Sequence, residues 1–199
     1  MAVVDIPWYR IRKFGLRPMP VASEQTGALG GPDIDQPRMG DRYAVDVATA
    51  GLTLDAQGRQ LVAAMTEAIS AGATMRVRLP NVPVGIESNA GSVVDGSGQL
   101  GSSVRLRGLV AGTTIVRWQP ITIEHAGVAF LHTAAAQVGV AGDGTVTVPI
   151  WPMLRFATVD GERVLVASPR IEGKLVGFKG ASFERHRMEP LEFSIVERR

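Results

Sequence analysis

Residues 103–167 are cut by explicit turn signals into apolar runs too short for helices: Ala111-Gly112, Ala126-Gly127, Gly142-Asp143-Gly144 and Asp160-Gly161. The runs left between them, at 103–109, 114–118, 121–125, 128–135, 145–150 and 163–167, read as strands in quick succession. So many short strands in so little chain suit a small closed barrel, of the oligonucleotide/oligosaccharide-binding or SH3-like size. The same punctuation runs through the whole chain, with 23 Gly and 12 Pro, and marks a turn-rich β architecture.

Outside this region the periodicity is legible but sparser. An apolar opening, Ala2 to Ile6, leads into a strand expected near 8–16. Residues 17–41, with Pro18, Pro20, Pro32, Pro37, Gly27, Gly30, Gly31 and Gly40, keep no period and read as a long arm. From Asp41, Tyr43, Val45 and Val47 alternate with Arg42, Ala44, Asp46 and Ala48, the signature of a half-buried strand. The period then changes: Leu54, Leu61, Met65 and Ile69, flanked by Val62 and Ala68, make a helical stripe over 54–71. Thr53 or Asp55 can cap its start, and Gly72 stands where a terminating glycine belongs. Met75, Val77 and Leu79 alternate again, ending at Pro80. Residues 85–103, rich in Gly, Ser and Asn, are the best candidate for a domain boundary. Strands at 173–178 and 191–195 close the chain, and no internal repeat is visible.

Length and composition exclude several classes. With 199 residues, 45% hydrophobic and 20% charged, the chain can bury a real core and is not disordered throughout. Lys and Arg number 21 against 19 Asp and Glu, with no basic block, so specific nucleic-acid binding is not expected. The absence of Cys removes disulfides, thiolate metal sites and Cys nucleophiles. No long apolar run or signal-peptide pattern is present, so a soluble, unexported protein without a membrane partner is expected.

Four groups of residues invite a functional reading. Gly96-Ser97-Gly98-Gln99-Leu100-Gly101 spells G-x-G-x-x-G, but a strand follows instead of the helix a dinucleotide phosphate needs, so it reads as a linker. Glu124, His125 and His132 form the one tempting catalytic cluster, if the two histidines face each other across the Ala126-Gly127 turn. They lack a third metal ligand and a nucleophile elbow, so structural histidines are the expectation. Trp8, Trp118 and Trp151 read either as stacking platforms or, preferably, as core or interface packing. Arg76/Arg78 and Arg105/Arg107 each put two like charges on one strand face, either solvated or meeting acidic surface on another subunit.

Taken together, the segments resemble the distal tail (tail hub) proteins of long-tailed, non-contractile bacteriophages and phage-like particles. The likeness is carried by Leu109-Val110-Ala111-Gly112, then Gln119-Pro120-Ile121-Thr122-Ile123, Gly127-Val128-Ala129-Phe130-Leu131-His132, Gly142-Asp143-Gly144, Val146-Thr147-Val148 and Pro152-Met153-Leu154-Arg155. Its most specific element joins that last segment to Asp160-Gly161 and Pro169-Arg170-Ile171-Glu172-Gly173; Gly40-Asp41-Arg42-Tyr43 and the helix match more loosely. The resemblance implies a mainly β fold: a tail-tube-like β-sandwich or split barrel with one α-helix, interrupted by an inserted small OB-like barrel. The domains would then be 1–92 plus 172–199, ring-forming, and 93–171, inserted.

It further implies a structural role without catalysis or cofactor. The protein would form a homo-oligomeric, hexameric ring at the virion tail tip, after synthesis in the bacterial host cytoplasm. The ring would join the tail tube protein to the baseplate hub protein and receptor-binding proteins, with a lumen for genomic DNA. Strands 42–48 and 74–79 are expected as sheet edges that ring closure covers. Arg42, Tyr43, Arg76 and Arg78 are therefore the candidate assembly contacts. Two rivals stay open: a stand-alone carbohydrate- or nucleic-acid-binding barrel, and a small hydrolase built on Glu124, His125 and His132.

Overall fold

The computed structural model describes residues 3–25, 34–37, 40–53, 55–78, 91–185 and 187–198. The fold is mainly β. The first part of the chain forms β1 (Val4–Asp5), β2 (Ile11–Met19), β3 (Ala22–Gln25), β4 (Ile34–Pro37), β5 (Arg42–Thr49), β6 (Leu52–Thr53), α1 (Ala56–Ala71) and β7 (Ala73–Arg76). The middle forms β8 (Val93–Val94), β9 (Gly101–Arg107), β10 (Thr114–Ile115), β11 (Pro120–His125), β12 (Val128–Ala134), β13 (Val138–Gly139), β14 (Val146–Leu154) and β15 (Val164–Leu165). The chain closes with β16 (Arg170–Val176), β17 (Phe183–Glu184), β18 (Arg187–Met188) and β19 (Glu192–Glu197).

Two six-stranded sheets organise the molecule. The open sheet runs β1-β7-β16-β19-β5-β2, all neighbours antiparallel except β1 and β7. Its alternation sorts side chains cleanly. Tyr43, Val45, Val47, Phe193 and Ile195 share the buried face, while Lys13, Arg17, Asp46, Glu192 and Ser194 share the polar one. The second sheet runs β15-β11-β12-β14-β9-β8 and is nearly closed. A Val93–Arg163 bridge and the Val94 N–H to Glu162 carbonyl bond of 2.9 Å join its two ends. Its interior holds Val104, Leu106, Ile121, Ile123, Val148, Leu154 and Val164, all fully buried.

Helix α1 covers part of the open sheet's apolar face. Asp55 caps it through Oδ1, which accepts from Gly58 N–H at 2.7 Å, and Gly72, at φ 95°, ends it with a bond back to the Ala68 carbonyl. The buried line is Gly58, Leu61, Met65 and Ala68. Gly58 is required: a Cβ there would stand 2.1 Å from the Thr53 carbonyl oxygen, so this turn presses on the preceding chain. That contact centres the packed face on Ala68. Ile69, expected in the stripe, is instead 57% exposed, one step around the helix. Leu54 lies outside the described residues, as do Leu79, Pro80 and the connector residues 85–90.

Three further expectations are corrected. Strands 42–48 and 74–79 are not edges: β5 lies between β19 and β2, and β7 between β1 and β16. Among the described residues the long edge is β2, nine residues with β5 on one side only. The arm is not irregular where it is described, since β3 and β4 pair antiparallel in a two-stranded sheet of their own. Pairing within a hairpin satisfies backbone groups without any apolar period, which is why composition hid it. The arm's Gly27, Gly30, Gly31 and Pro32 lie outside the described residues. Lastly, the G-x-G-x-x-G stretch is a turn built into the barrel, not a linker: Gly96 N–H donates to Asp160 and Gly98 N–H to the Thr158 carbonyl.

Candidate functional site

The barrel docks on the open sheet through β12. Strand β14 pairs with β12 only at Thr133–Trp151 and Ala134–Ile150, which leaves the N–H groups of Ala129 and Leu131 without a strand partner. Two carboxylates from the open sheet take its place. Glu172 on β16 accepts from Ala129 N–H at 3.1 Å, and Glu197 on β19 accepts from Leu131 N–H at 2.6 Å. Leu131 itself is fully buried in the open sheet's core, so an apolar knob and two charge-assisted hydrogen bonds make one joint.

Glu197 is the centre of a buried polar network. Arg155, the residue after β14, approaches it at 2.8 Å, donates to the Arg198 carbonyl at 2.9 Å, and lies 4.9 Å over the Phe130 ring. Burial raises the Glu197 carboxyl to about 7, even with Arg155 and the two backbone donors drawing it down. His132, fully buried, donates from Nδ1 to the Pro152 carbonyl at 2.8 Å, while its Nε2 has no hydrogen-bond partner among the described residues. Burial holds that imidazole down at about 4, so it is neutral near pH 7.

Beside the joint opens a cleft of about 390 Å³ between the β2–β5 end of the open sheet and the barrel. Tyr43 and Trp151 meet edge-on at 4.9 Å in its floor, and the Tyr43 hydroxyl bonds Thr133 Oγ1 at 2.8 Å. Trp118 overhangs it, 54% exposed, with Arg117 beside it.

The candidate assembly contacts are scattered over these features. Tyr43 is only 3% exposed and packs inside the chain against Trp151. Arg42 is half-buried, with a buried Nε that has no hydrogen-bond partner. Arg76 is half-buried and reaches the Ala167 carbonyl at 3.4 Å, whereas exposed Arg78 lies 5.1 Å over the Trp8 ring. Arg105 and Arg107 are not waiting for another subunit: Asp95 lies 2.7 Å from Arg105, and Asp95 and Asp160 hold Arg107 at 3.0 and 3.1 Å.

The expected cluster of Glu124, His125 and His132 does not assemble. In the β11–β12 ladder His125 pairs with Val128 and His132 with Ile121, at opposite ends of the hairpin. His125 bonds Glu162 and stacks on Phe156 at 4.1 Å, and Glu124 faces Arg163 at 3.6 Å. No group of three or more His, Asp or Glu suited to a metal occurs among the described residues. Of the three tryptophans, Trp8 donates to the Arg76 carbonyl at 2.7 Å and packs with Trp151 against the open sheet's core, as packing residues should. Trp118 alone is presented to solvent. Sequence reasoning missed Glu162, Glu172 and Glu197, whose burial no local pattern signals. No family model and no curated protein matches this sequence.

Proposed function

We propose that the chain is a structural component of a phage tail tip, forming a ring that joins the tail tube to the hub and receptor-binding parts. The observation that carries this reading is β2: nine residues that form a sheet edge among the described residues and lead straight into the β3–β4 hairpin. An edge of that length is a pairing template, and a closed ring of heterologous contacts covers every copy of it. The hairpin supplies reach toward a neighbouring subunit or the next ring. The sheet's polar face, with Lys13, Arg17, Asp46, Glu192 and Ser194, suits a lumen through which DNA passes without being read. The hexameric count, the tail partners and the location in the virion rest on the family resemblance.

The hairpin gives the test. Val21 N–H bonds Asp41 Oδ1 at 2.7 Å, so the arm is stapled at its base and residues 22–38 can be removed beyond the staple. The shortened protein is expected to melt like the parent yet to be missing from purified particles in a complementation assay with immunoblotting. Incorporation at the parental level would refute the ring reading.

A further inference from the structure

The cleft under Trp118 is a binding site, and we infer that its ligand is a saccharide, with an acidic sugar favoured. This inference does not rest on the ring reading, because every group that makes the site belongs to one chain.

The first observation is how Trp118 is held. Its φ is 68°, a left-handed conformation that a bulky residue adopts only when its surroundings impose it. Those surroundings are on hand. Trp118 N–H donates to the Ala134 carbonyl at 2.7 Å, Gln119 N–H to the Val116 carbonyl at 3.1 Å, and Gln119 Oε1 accepts from Val116 N–H at 3.1 Å. The turn is thus locked by its own hydrogen bonds, and the strained residue within it is the one whose indole faces solvent. A tryptophan needed only for packing would have been turned inward, as Trp8 and Trp151 are.

The second observation is what the cleft offers besides the indole. Trp151 and the largely buried Tyr43 line the cleft with aromatic rings, and the Thr133 hydroxyl is taken up by Tyr43 and the Trp151 carbonyl. Arg117 is exposed and makes no ion pair among the described residues. An apolar cleft of this size with a few polar groups at its rim is the usual form of a small-ligand site. Flat aromatic faces beside hydrogen-bonding groups match the two sides of a sugar ring, C–H on one and hydroxyls on the other. The Arg117 guanidinium adds a partner for a carboxylate.

Nucleic acid would use the same ring but needs a basic track along its backbone. Here Arg105 and Arg107 of the barrel are occupied by Asp95 and Asp160. Arg117 by itself makes no track.

The experiment follows the three indole N–H signals of the full-length protein by NMR while cellotriose, chitotriose and trigalacturonate are added separately. A saturable shift at the Trp118 signal is expected, strongest with trigalacturonate, while the Trp8 signal stays in place. Trp118→Ala should weaken binding by about tenfold or more, Trp118→Tyr should retain part of it, and Arg117→Gln should weaken trigalacturonate alone. Glu67→Ala, on the helix, should bind like the parent. If Trp118→Ala fails to fold, the Trp118→Tyr and Arg117→Gln titrations decide. No saturable shift with any trimer at about 10 mM, a level that reveals even a millimolar Kd, would overturn the inference. So would Trp118→Ala binding like the parent, or a Trp118 shift that tracks protein concentration without sugar and so marks a second copy in the cleft.

Discussion

Replacing His132 by Gln should change how stability depends on pH far more than how stable the protein is at any one pH. The imidazole is fully buried and held at about 4, against 6.5 for the free group. Its folded value is depressed, so between those limits the unfolded chain binds the extra proton and stability rises with pH. The stabilisation is complete above pH 6.5 and is lost as pH falls toward 4. The full span is worth about 3 kcal/mol, most of which separates pH 7.5 from pH 4.5. Glu197 works in the opposite sense. Its folded value is raised from 4.5 to about 7, so its contribution is complete below 4.5 and is lost as pH rises through 7. That loss is worth about 3 kcal/mol over the same interval, so the two groups nearly cancel and the parent should look flat.

The assay is urea unfolding followed by tryptophan fluorescence at several pH values between 4.5 and 7.5, extrapolated linearly to water. The parent's advantage over His132→Gln should shrink by roughly 2 to 3 kcal/mol from pH 7.5 to 4.5, whatever constant the substitution adds. For Glu197→Gln the difference should run the other way, in the parent's favour at low pH, by about 3 kcal/mol. A parent-to-variant difference constant to about 0.5 kcal/mol across the range would refute the buried neutral histidine and, for Glu197, the raised carboxyl.

Two more substitutions test packing. Met65→Asp puts a charge where nothing is exposed and should cost about 3 kcal/mol or more, whereas Ile69→Asp, on an exposed position, should stay within about 0.5 kcal/mol; equal shifts in melting temperature would contradict the helix orientation. Gly173→Ala places a Cβ 2.0 Å from the Val196 carbonyl oxygen, a backbone atom of the paired strand that no rotamer can relieve. It should cost about 3 kcal/mol, lowering the melting temperature by roughly 10 °C, and a shift below about 2 °C would show that β16 and β19 can part freely.

Local chemistry was enough for what depends on neighbours in the chain. Asp55 and Gly72 bound the helix because capping needs only residues a few positions away. The turn signals fell between barrel strands, although β8 lay in the stretch read as a connector, and Tyr43, Val45 and Val47 fell on the buried face because alternation is a property of the strand alone. Alternation says which face a residue takes but not which strand lies beside it. Hence β5 and β7 passed for edges, and the true edge, β2, was hidden beside an arm whose pairing leaves no apolar period. Charge suffered the same ambiguity. Arg107 read as a free cation because its partner Asp160 is distant in sequence and arrives only when β8 and β15 close the barrel. The candidate site was the least legible part. Trp118, Trp151 and Tyr43 were visible as residue types, but only tertiary structure decided that two of them form a floor and the third is held open above it. Glu172 and Glu197 gave no signal at all, because a carboxylate becomes a strand substitute only where a neighbouring strand has turned away.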